Sequence, residues 1–99
     1  MSDSPLYVAL ADPTRRAILR ALRDGSKTAG DLAAPFTLSK PTLSHHLKVL
    51  REAGLVRAEK RGTSVVYTLS ANVLEELAAE LLELASRPVR TTRKKGASS

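Results

Sequence analysis

Three adjacent residues, Ser44, His45 and His46, carry the side chains of this chain best suited to chemistry. Neighbouring imidazoles can bind a metal ion, and a histidine beside a serine can act as the general base for a nucleophile. Both kinds of site need side chains that converge on one point. The element that carries these residues therefore decides whether either site can form.

The segment falls on a predicted helix over residues 40–53, which begins after the capping residue Ser39 and ends at Gly54. At 100° per residue, its leucines form one buried face: Leu43, Leu47 and Leu50. His46 lies at the edge of that face, about 60° from its centre, whereas His45 lies about 160° away on the opposite side. Side chains that diverge in this way cannot hold one metal ion together.

The rest of the composition also disfavours metal binding and catalysis. The chain has no cysteine and no third histidine, and it lacks a glycine-rich loop or paired carboxylates near Ser44. We therefore predict no enzyme activity, no metal site and no cofactor. His46 is predicted to be a half-buried structural histidine that is hydrogen-bonded to nearby backbone.

The outward side of the helix over residues 40–53 carries hydroxyl, imidazole and ammonium groups, which can donate to base edges and phosphates in a major groove. A short helix over residues 28–34, ended by Pro35, precedes it and completes a helix-turn-helix. We predict that this side binds DNA through Lys40, Thr42, Ser44, His45 and Lys48.

Two strands, "LVRAEK" and "VVYTL", follow this helix and are joined by a turn containing Gly62. The hairpin spans residues 55–69 and is predicted to act as a basic wing beside the duplex, with contacts from Arg57, Lys60 and Arg61. Short helices after Ser4-Pro5 and Asp12-Pro13 and a helix over residues 71–86 complete the chain. The predicted fold is mainly α with a β-hairpin (α+β), a winged helix-turn-helix of order α-α-α-α-β-β-α.

The net charge of +6 is concentrated at one end of the chain. Residues 87–99 contain five basic residues and no acidic residue: Arg87, Arg90, Arg93, Lys94 and Lys95. We predict a folded domain over residues 1–86 and a disordered basic tail over residues 87–99. No apolar run reaches the roughly 18 residues of a membrane span, and the start does not resemble a signal peptide, so we expect a cytoplasmic protein without membrane insertion.

The helix over residues 71–86 carries an apolar stripe that is wider than one small domain can cover. Only 3% of the residues are aromatic, so the core must be built from Leu, Val, Ile and Ala. A chain of 99 residues buries a modest fraction of its surface, so a second subunit would add stability. We therefore predict a homodimer that pairs this helix with the N-terminal helix across a two-fold axis. The predicted interface residues are Leu6, Tyr7, Leu10, Leu77, Leu81 and Leu84.

Three segments, "LADPTRRAILRAL", "TAGDLAAPFTLSKPTLSHHLKVLREAGLVRAEKRG" and "VVYTLS", resemble the ArsR/SmtB family of winged-helix transcriptional repressors over roughly residues 6–86. The resemblance implies a homodimer that binds a pseudo-palindromic operator, usually its own promoter, and blocks transcription. It also implies that Ser44 and His45 lie in the major groove and that the wing contacts the minor groove.

The sequence departs from the metal-sensing members of this family. Such members carry cysteines near the segment "TAGDLAAPF" or metal-binding pairs on the last helix, and neither cysteine nor histidine is present in either place. The chain is more similar to the metal-free, autorepressor-like members that open with "DPTRR". No residue of the sequence identifies an effector.

Two other functions remain open at this point. A non-specific architectural DNA-binding protein is favoured by the basic tail and disfavoured by the defined recognition helix. A protein-interaction module would use the acidic helix over residues 71–86 to dock a partner. The base-edge donors at Ser44, His45 and Lys48 favour sequence-specific binding of double-stranded DNA over this last possibility.

Overall fold

A computed structural model describes residues 4–86, and the predicted basic tail over residues 87–99 lies outside the described residues. The chain forms five helices and three strands: α1 (Pro5–Ala11), α2 (Pro13–Leu22), β1 (Lys27–Thr28), α3 (Ala29–Phe36), α4 (Lys40–Glu52), β2 (Val56–Arg61), β3 (Ser64–Leu69) and α5 (Ala71–Ala85). The strands make one antiparallel sheet in the order β1-β3-β2. The predicted fold class, an α+β winged helix-turn-helix, is confirmed.

The helices begin where the capping residues of the sequence predict. Ser4 Oγ accepts a hydrogen bond from the backbone N–H of Leu6 at 3.2 Å, and the Asp12 carboxylate accepts one from the N–H of Arg15 at 3.0 Å. The bond from Arg15 holds the pKa of Asp12 below its ordinary value, because it stabilises the ionised carboxylate. Because Asp12 also ends α1, one residue fixes both helices at their junction.

The core lies between the helices and the base of the hairpin. Its four largest fully buried side chains come from four different parts of the chain: Ile18, Leu32, Leu50 and Leu55. All three leucines predicted to form the inner face of α4 are buried, at positions 43, 47 and 50. The helical phase assigned to α4 from sequence is therefore confirmed, and it fixes which side of α4 faces outward.

Strand β1 is absent from the sequence prediction. It pairs Lys27 with Tyr67 and Thr28 with Val66, and it gives the hairpin a third strand. Just before it, the hydroxyls of Ser26 and Thr68 lie 2.7 Å apart. Two residues are too few to show the alternation by which strands are recognised, so only the packed structure reveals this strand.

Helix α3 continues past Pro35, where the sequence predicts its end. Pro35 lies in the last turn, where its missing N–H removes a single helical hydrogen bond. The helix ends one residue later, at Phe36, because Thr37 adopts a left-handed conformation with φ of 50°. The turn of the helix-turn-helix is accordingly shorter than predicted.

The hairpin of β2 and β3 is paired without interruption from Val56↔Leu69 to Arg61↔Ser64. Its two-residue turn begins with Gly62 at φ of 63°, and the residue that follows has no positive φ. A positive φ at the first central position alone is typical of a type II′ turn, whose twist matches that of the strands. The predicted hairpin and its glycine turn are confirmed.

None of the helices between residues 4 and 86 combines the length and the apolar character that crossing a lipid bilayer requires.

Candidate nucleic-acid interface

The N-terminal end of α4 is fixed by its own cap. Ser39 Oγ accepts a hydrogen bond from the backbone N–H of Thr42 at 3.3 Å, and the two hydroxyls lie 2.9 Å apart. Thr42 Oγ1 accepts from Ser39 Oγ, which leaves the O–H of Thr42 to donate outward. A helix start that is held in this way presents its neighbouring side chains at a defined angle.

The outward side of α4 is free in the described part of the chain. Four of the predicted DNA-binding residues on this helix are exposed, and their side chains form no hydrogen bond or ion pair with residues 4–86: Lys40, Ser44, His45 and Lys48. Their hydroxyl, imidazole and ammonium donors are thus available to an external acceptor. Thr42 is exposed as well, although its hydroxyl contacts Ser39.

His46 has a different environment from His45. It is half-buried, as predicted, and its Nδ1 lies 3.2 Å from Nη1 of Arg15. Since a guanidinium can only donate, Nδ1 is the acceptor and the neutral ring carries its proton on Nε2. The predicted backbone partner is wrong, because a side chain from another helix takes that role.

Arg15 makes three contacts at once. Besides His46, its Nε donates to the carbonyl of Ala9 and its Nη2 donates to the carbonyl of Val8, each at 3.0 Å. These carbonyls belong to the end of α1, which has no further helical partners for them. One guanidinium therefore connects the end of α1 to the inner edge of α4.

The rings of His45 and His46 are tilted by 51°, with centroids 5.9 Å apart. Within the described range, 4–86, no group of three or more histidine, cysteine, aspartate or glutamate side chains is placed to hold a metal ion.

The three basic residues predicted on the wing lie at different positions on the hairpin and on both of its faces. Side chains alternate along a strand, so Lys60 shares its face with the buried Val56, while Arg61 lies on the opposite face with Glu59. Arg61 Nη2 lies 3.1 Å from Glu59 Oε1, and both side chains are 65% exposed. An ion pair this exposed stabilises little and can exchange its partner for a phosphate.

Arg57 is held at the base of the wing rather than at its tip. Its Nη1 donates to Ser70 Oγ at 3.5 Å, and Ser70 is buried. Arg57 lines a cleft together with Ser44 and Lys48 of α4. The structure therefore brings Arg57 together with Ser44 and Lys48, whereas Lys60 and Arg61 lie at the far end of the hairpin.

An open cleft of about 800 Å³ separates α4 from the hairpin. Its polar and aromatic lining residues are Ser44, Lys48, Arg51, Glu52, Arg57 and Tyr67. Arg51 is exposed and was not predicted to be a site residue. It lies three residues after Lys48 and seven after Ser44, a spacing that marks the same flank of the helix. Because the hairpin lies beside that flank, Arg51 lines the cleft together with residues of the hairpin.

Apart from Val65 on the hairpin, the large exposed apolar side chains among residues 4–86 lie on α1 and on the second half of α5. Residues 78–86 are all exposed, and Leu81, Leu82 and Leu84 expose 48%, 66% and 71% of their surface. Tyr7 and Val8 on α1 are exposed as well. Such a concentration of exposed leucines is typical of a surface that binds another protein.

The predicted interface residues divide into three groups. Leu77 is only 6% exposed, so its own chain already covers it and it adds little to a partner surface. Leu6 and Leu10 are partly buried against the core of the same chain. Tyr7, Leu81 and Leu84 remain exposed. The exposed surface also includes Val8 and Leu82, which the sequence prediction omitted.

Comparison with known proteins agrees with this arrangement. The sequence model described as "Bacterial regulatory protein, arsR family" matches residues 12–58, from the cap of α2 into the wing. The transcriptional repressor SdpR of Bacillus subtilis is 42% identical over 71 residues, which are 72% of this chain and 79% of that protein. An arsenical resistance operon repressor of Staphylococcus xylosus is 40% identical over 72 residues, 73% of this chain and 69% of that one.

Solved structures show the same architecture. An ArsR family transcriptional regulator matches with a TM-score of 0.76 at 34% sequence identity, and the match covers 81% of this chain and 88% of the other. At this identity and coverage the similarity extends from the sequence motifs to the arrangement of helices and hairpin.

Proposed function

Because this chain belongs to the arsR family of bacterial regulatory proteins, we propose that it is a homodimeric repressor in which each subunit places α4 in one half-site of a pseudo-palindromic operator. The chain is a DNA-binding transcriptional regulator and not an enzyme. What the proposal adds is the dimer, the symmetric operator and the residues that contact it.

The observation that carries this proposal is the free outward side of α4. The helix presents donors that have no partner among residues 4–86 on one side, and it buries its leucines on the other. Ser44 and His45 donate to base edges, and Lys40 and Lys48 donate to the flanking phosphates. The positive end of the helix macrodipole favours the phosphates near Lys40.

The wing supplies contacts that do not depend on sequence. With α4 in the major groove, the hairpin lies beside the adjacent minor groove, where Lys60 and Arg61 neutralise backbone charge. Because these two residues lie on opposite faces of the hairpin, they contact phosphates on different sides of it. The basic segment over residues 87–99 is proposed to add further phosphate attraction.

The exposed leucines of α5 support the dimer. A second copy that pairs them with Tyr7 and Val8 of α1 across a two-fold axis would remove both apolar surfaces from water. Two-fold symmetry then gives two recognition helices and, on DNA, half-sites about one helical turn apart.

Selection of bound duplexes from a random pool tests the proposed function directly. Purified full-length protein is expected to recover an inverted repeat with half-sites about 10 base pairs apart. Recovery of a single half-site would remove the dimer from the proposal. Recovery of no motif would instead favour a non-specific architectural protein.

We expect His45→Ala to weaken operator binding by about 1–3 kcal/mol, because it removes one base contact. The thermal stability of this variant should be unchanged, since the His45 ring is exposed and forms no hydrogen bond within residues 4–86. His46→Ala is the matched control, and it should lower the melting temperature because it removes the acceptor of Arg15. Fluorescence anisotropy and thermal denaturation measure the two effects. A reversal of the two phenotypes would contradict the assigned roles.

We expect Lys60→Ala to weaken binding to operator and random duplexes equally and to reduce the salt slope by about one. Arg61→Ala should do the same and lose more affinity, because it leaves Glu59 unpaired beside the phosphates. Glu59→Gln is the control and should strengthen binding to both duplexes. Salt titrations of the three variants give the slopes. A loss confined to the operator would show that the wing reads bases.

A further inference from the structure

We propose that the cleft between α4 and the hairpin binds a phosphate of the DNA backbone, held by Arg51 from one wall and by Arg57 from the other. The inference rests on the proposed mode of DNA binding and adds Arg51 as a DNA contact. The ligand is the phosphodiester of a duplex, recognised by its charge and its oxygen acceptors rather than by a base.

The charges of the cleft favour an anion. Lys48, Arg51 and Arg57 line it together with a single acid, Glu52. Within residues 4–86 the one ion pair joins Arg61 to Glu59, so Glu52 forms no ion pair with these three cations and the lining keeps an excess of positive charge. An excess of cations around an open cleft raises the local concentration of anions.

The guanidinium of Arg57 is anchored by one hydrogen bond, and its other donors have no partner among residues 4–86. Within residues 4–86 its single hydrogen bond, to Ser70 Oγ, is long at 3.5 Å and uses one of five guanidinium donors. The bond anchors the side chain at the base of the hairpin and leaves the remaining donors for a ligand. A guanidinium matches the geometry of two phosphate oxygens, which a lysine does not.

The proposed mode of DNA binding places one DNA strand in this cleft. If α4 occupies a major groove and the hairpin an adjacent minor groove, the strand that separates the two grooves must pass between them. The cleft lies between α4 and the hairpin, and its volume of about 800 Å³ leaves room for a phosphate with its flanking sugars. Its walls carry the donors that such a strand requires.

Arg51 is separated from His45 around α4 and from Ser44 along it, because seven residues of helix place it about 10 Å beyond Ser44. At 100° per residue it lies about 80° from Leu43, whereas His45 lies about 160° from that side in the opposite sense. Arg51 therefore faces the hairpin, and His45 faces the floor of the groove. A long cation on the flank of a recognition helix contacts the backbone beside the groove.

The test compares Arg51→Ala with Arg20→Ala, which removes the same charge from an exposed residue of α2 outside the cleft. Full-length proteins are titrated by fluorescence anisotropy against the selected operator and against a random duplex of equal length, over a range of salt concentrations. We expect Arg51→Ala to lose about tenfold in affinity for both duplexes at low salt and to reduce the salt slope by about one. Arg20→Ala should change affinity by less than about twofold.

Two further variants keep the test informative. Arg51→Lys retains the charge and should keep the salt slope while losing part of the affinity. Glu52→Gln removes the acid of the cleft and should raise affinity for both duplexes. Melting temperatures are compared first, and they should match the parent because both side chains are exposed.

Each contrary outcome overturns the inference. Unchanged binding by Arg51→Ala would show that the cleft holds no phosphate, and an equal loss in Arg20→Ala would show a general charge effect. A loss confined to the operator, with the salt slope unchanged, would make Arg51 a base-reading residue. If the parent protein bound neither duplex, the proposed function itself would fail, which distinguishes that result from the others.

Discussion

Leu81→Glu is expected to convert the protein to a monomer and to abolish high-affinity operator binding. Leu81 is 48% exposed on the unsupported half of α5, where a second copy is proposed to cover it. Burying an unpaired carboxylate there costs several kcal/mol, because the charge loses its hydration and gains no partner. The monomer binds the operator weakly, because it carries one recognition helix and can contact only one half-site. Analytical ultracentrifugation and anisotropy on the same samples measure both effects.

Ala79→Glu is the matched control for the dimer. It introduces the same charge into the exposed part of the same helix, but about 160° away from Leu81 at 100° per residue. This variant should sediment as a dimer and bind the operator as the parent does. If Leu81→Glu also sedimented as a dimer with normal binding, the proposed interface would be wrong.

Leu50→Ala is expected to destabilise the fold more than any substitution at the DNA surface. Leu50, on the inner face of α4, is fully buried. Its truncation therefore loses apolar burial and leaves a cavity, at a cost of about 2–5 kcal/mol. For a domain of this size, the melting temperature should fall by roughly 10 °C or more. Circular dichroism at equal protein concentration measures the shift.

Val65→Ala is the control for this core substitution. Val65 is partly exposed near the tip of the hairpin, and its truncation should cost less than about 1 kcal/mol. A smaller effect of Leu50→Ala than of Val65→Ala would mean that α4 is not held by its leucine face. Operator affinity of both variants, measured well below their melting temperatures, would separate stability from recognition.

Local signals in the sequence were sufficient for most of the fold. Ser39 and Gly54 bracket α4, the leucines at 43, 47 and 50 fix its phase, and Gly62 marks the hairpin turn. Each of these is a short-range preference of the backbone or a regular apolar spacing. The same phase separates the exposed His45 from the half-buried His46.

Features that depend on distant segments were not predictable in this way. Arg15 meets His46 across 31 positions of sequence, and nothing in either neighbourhood specifies the other. Strand β1 exists because β3 offers it an edge, and two residues alone show no periodicity. Arg51 becomes a candidate contact only when the hairpin is placed beside it. Leu77 carries the same spacing as Leu81, but the body of the domain covers only the first of them.

The uninterrupted pairing of β2 with β3 restricts how the hairpin can change in length during evolution. Each residue up to Arg61↔Ser64 has one partner, and successive side chains point to opposite faces. Lengthening both strands by one residue would turn the tip over and exchange the sides on which Lys60 and Arg61 lie. Insertions that keep the charge pattern must therefore add two residues to each strand. Wings that keep this charge pattern are expected to differ in length by multiples of four residues, and an unequal insertion into the two strands should require a bulge.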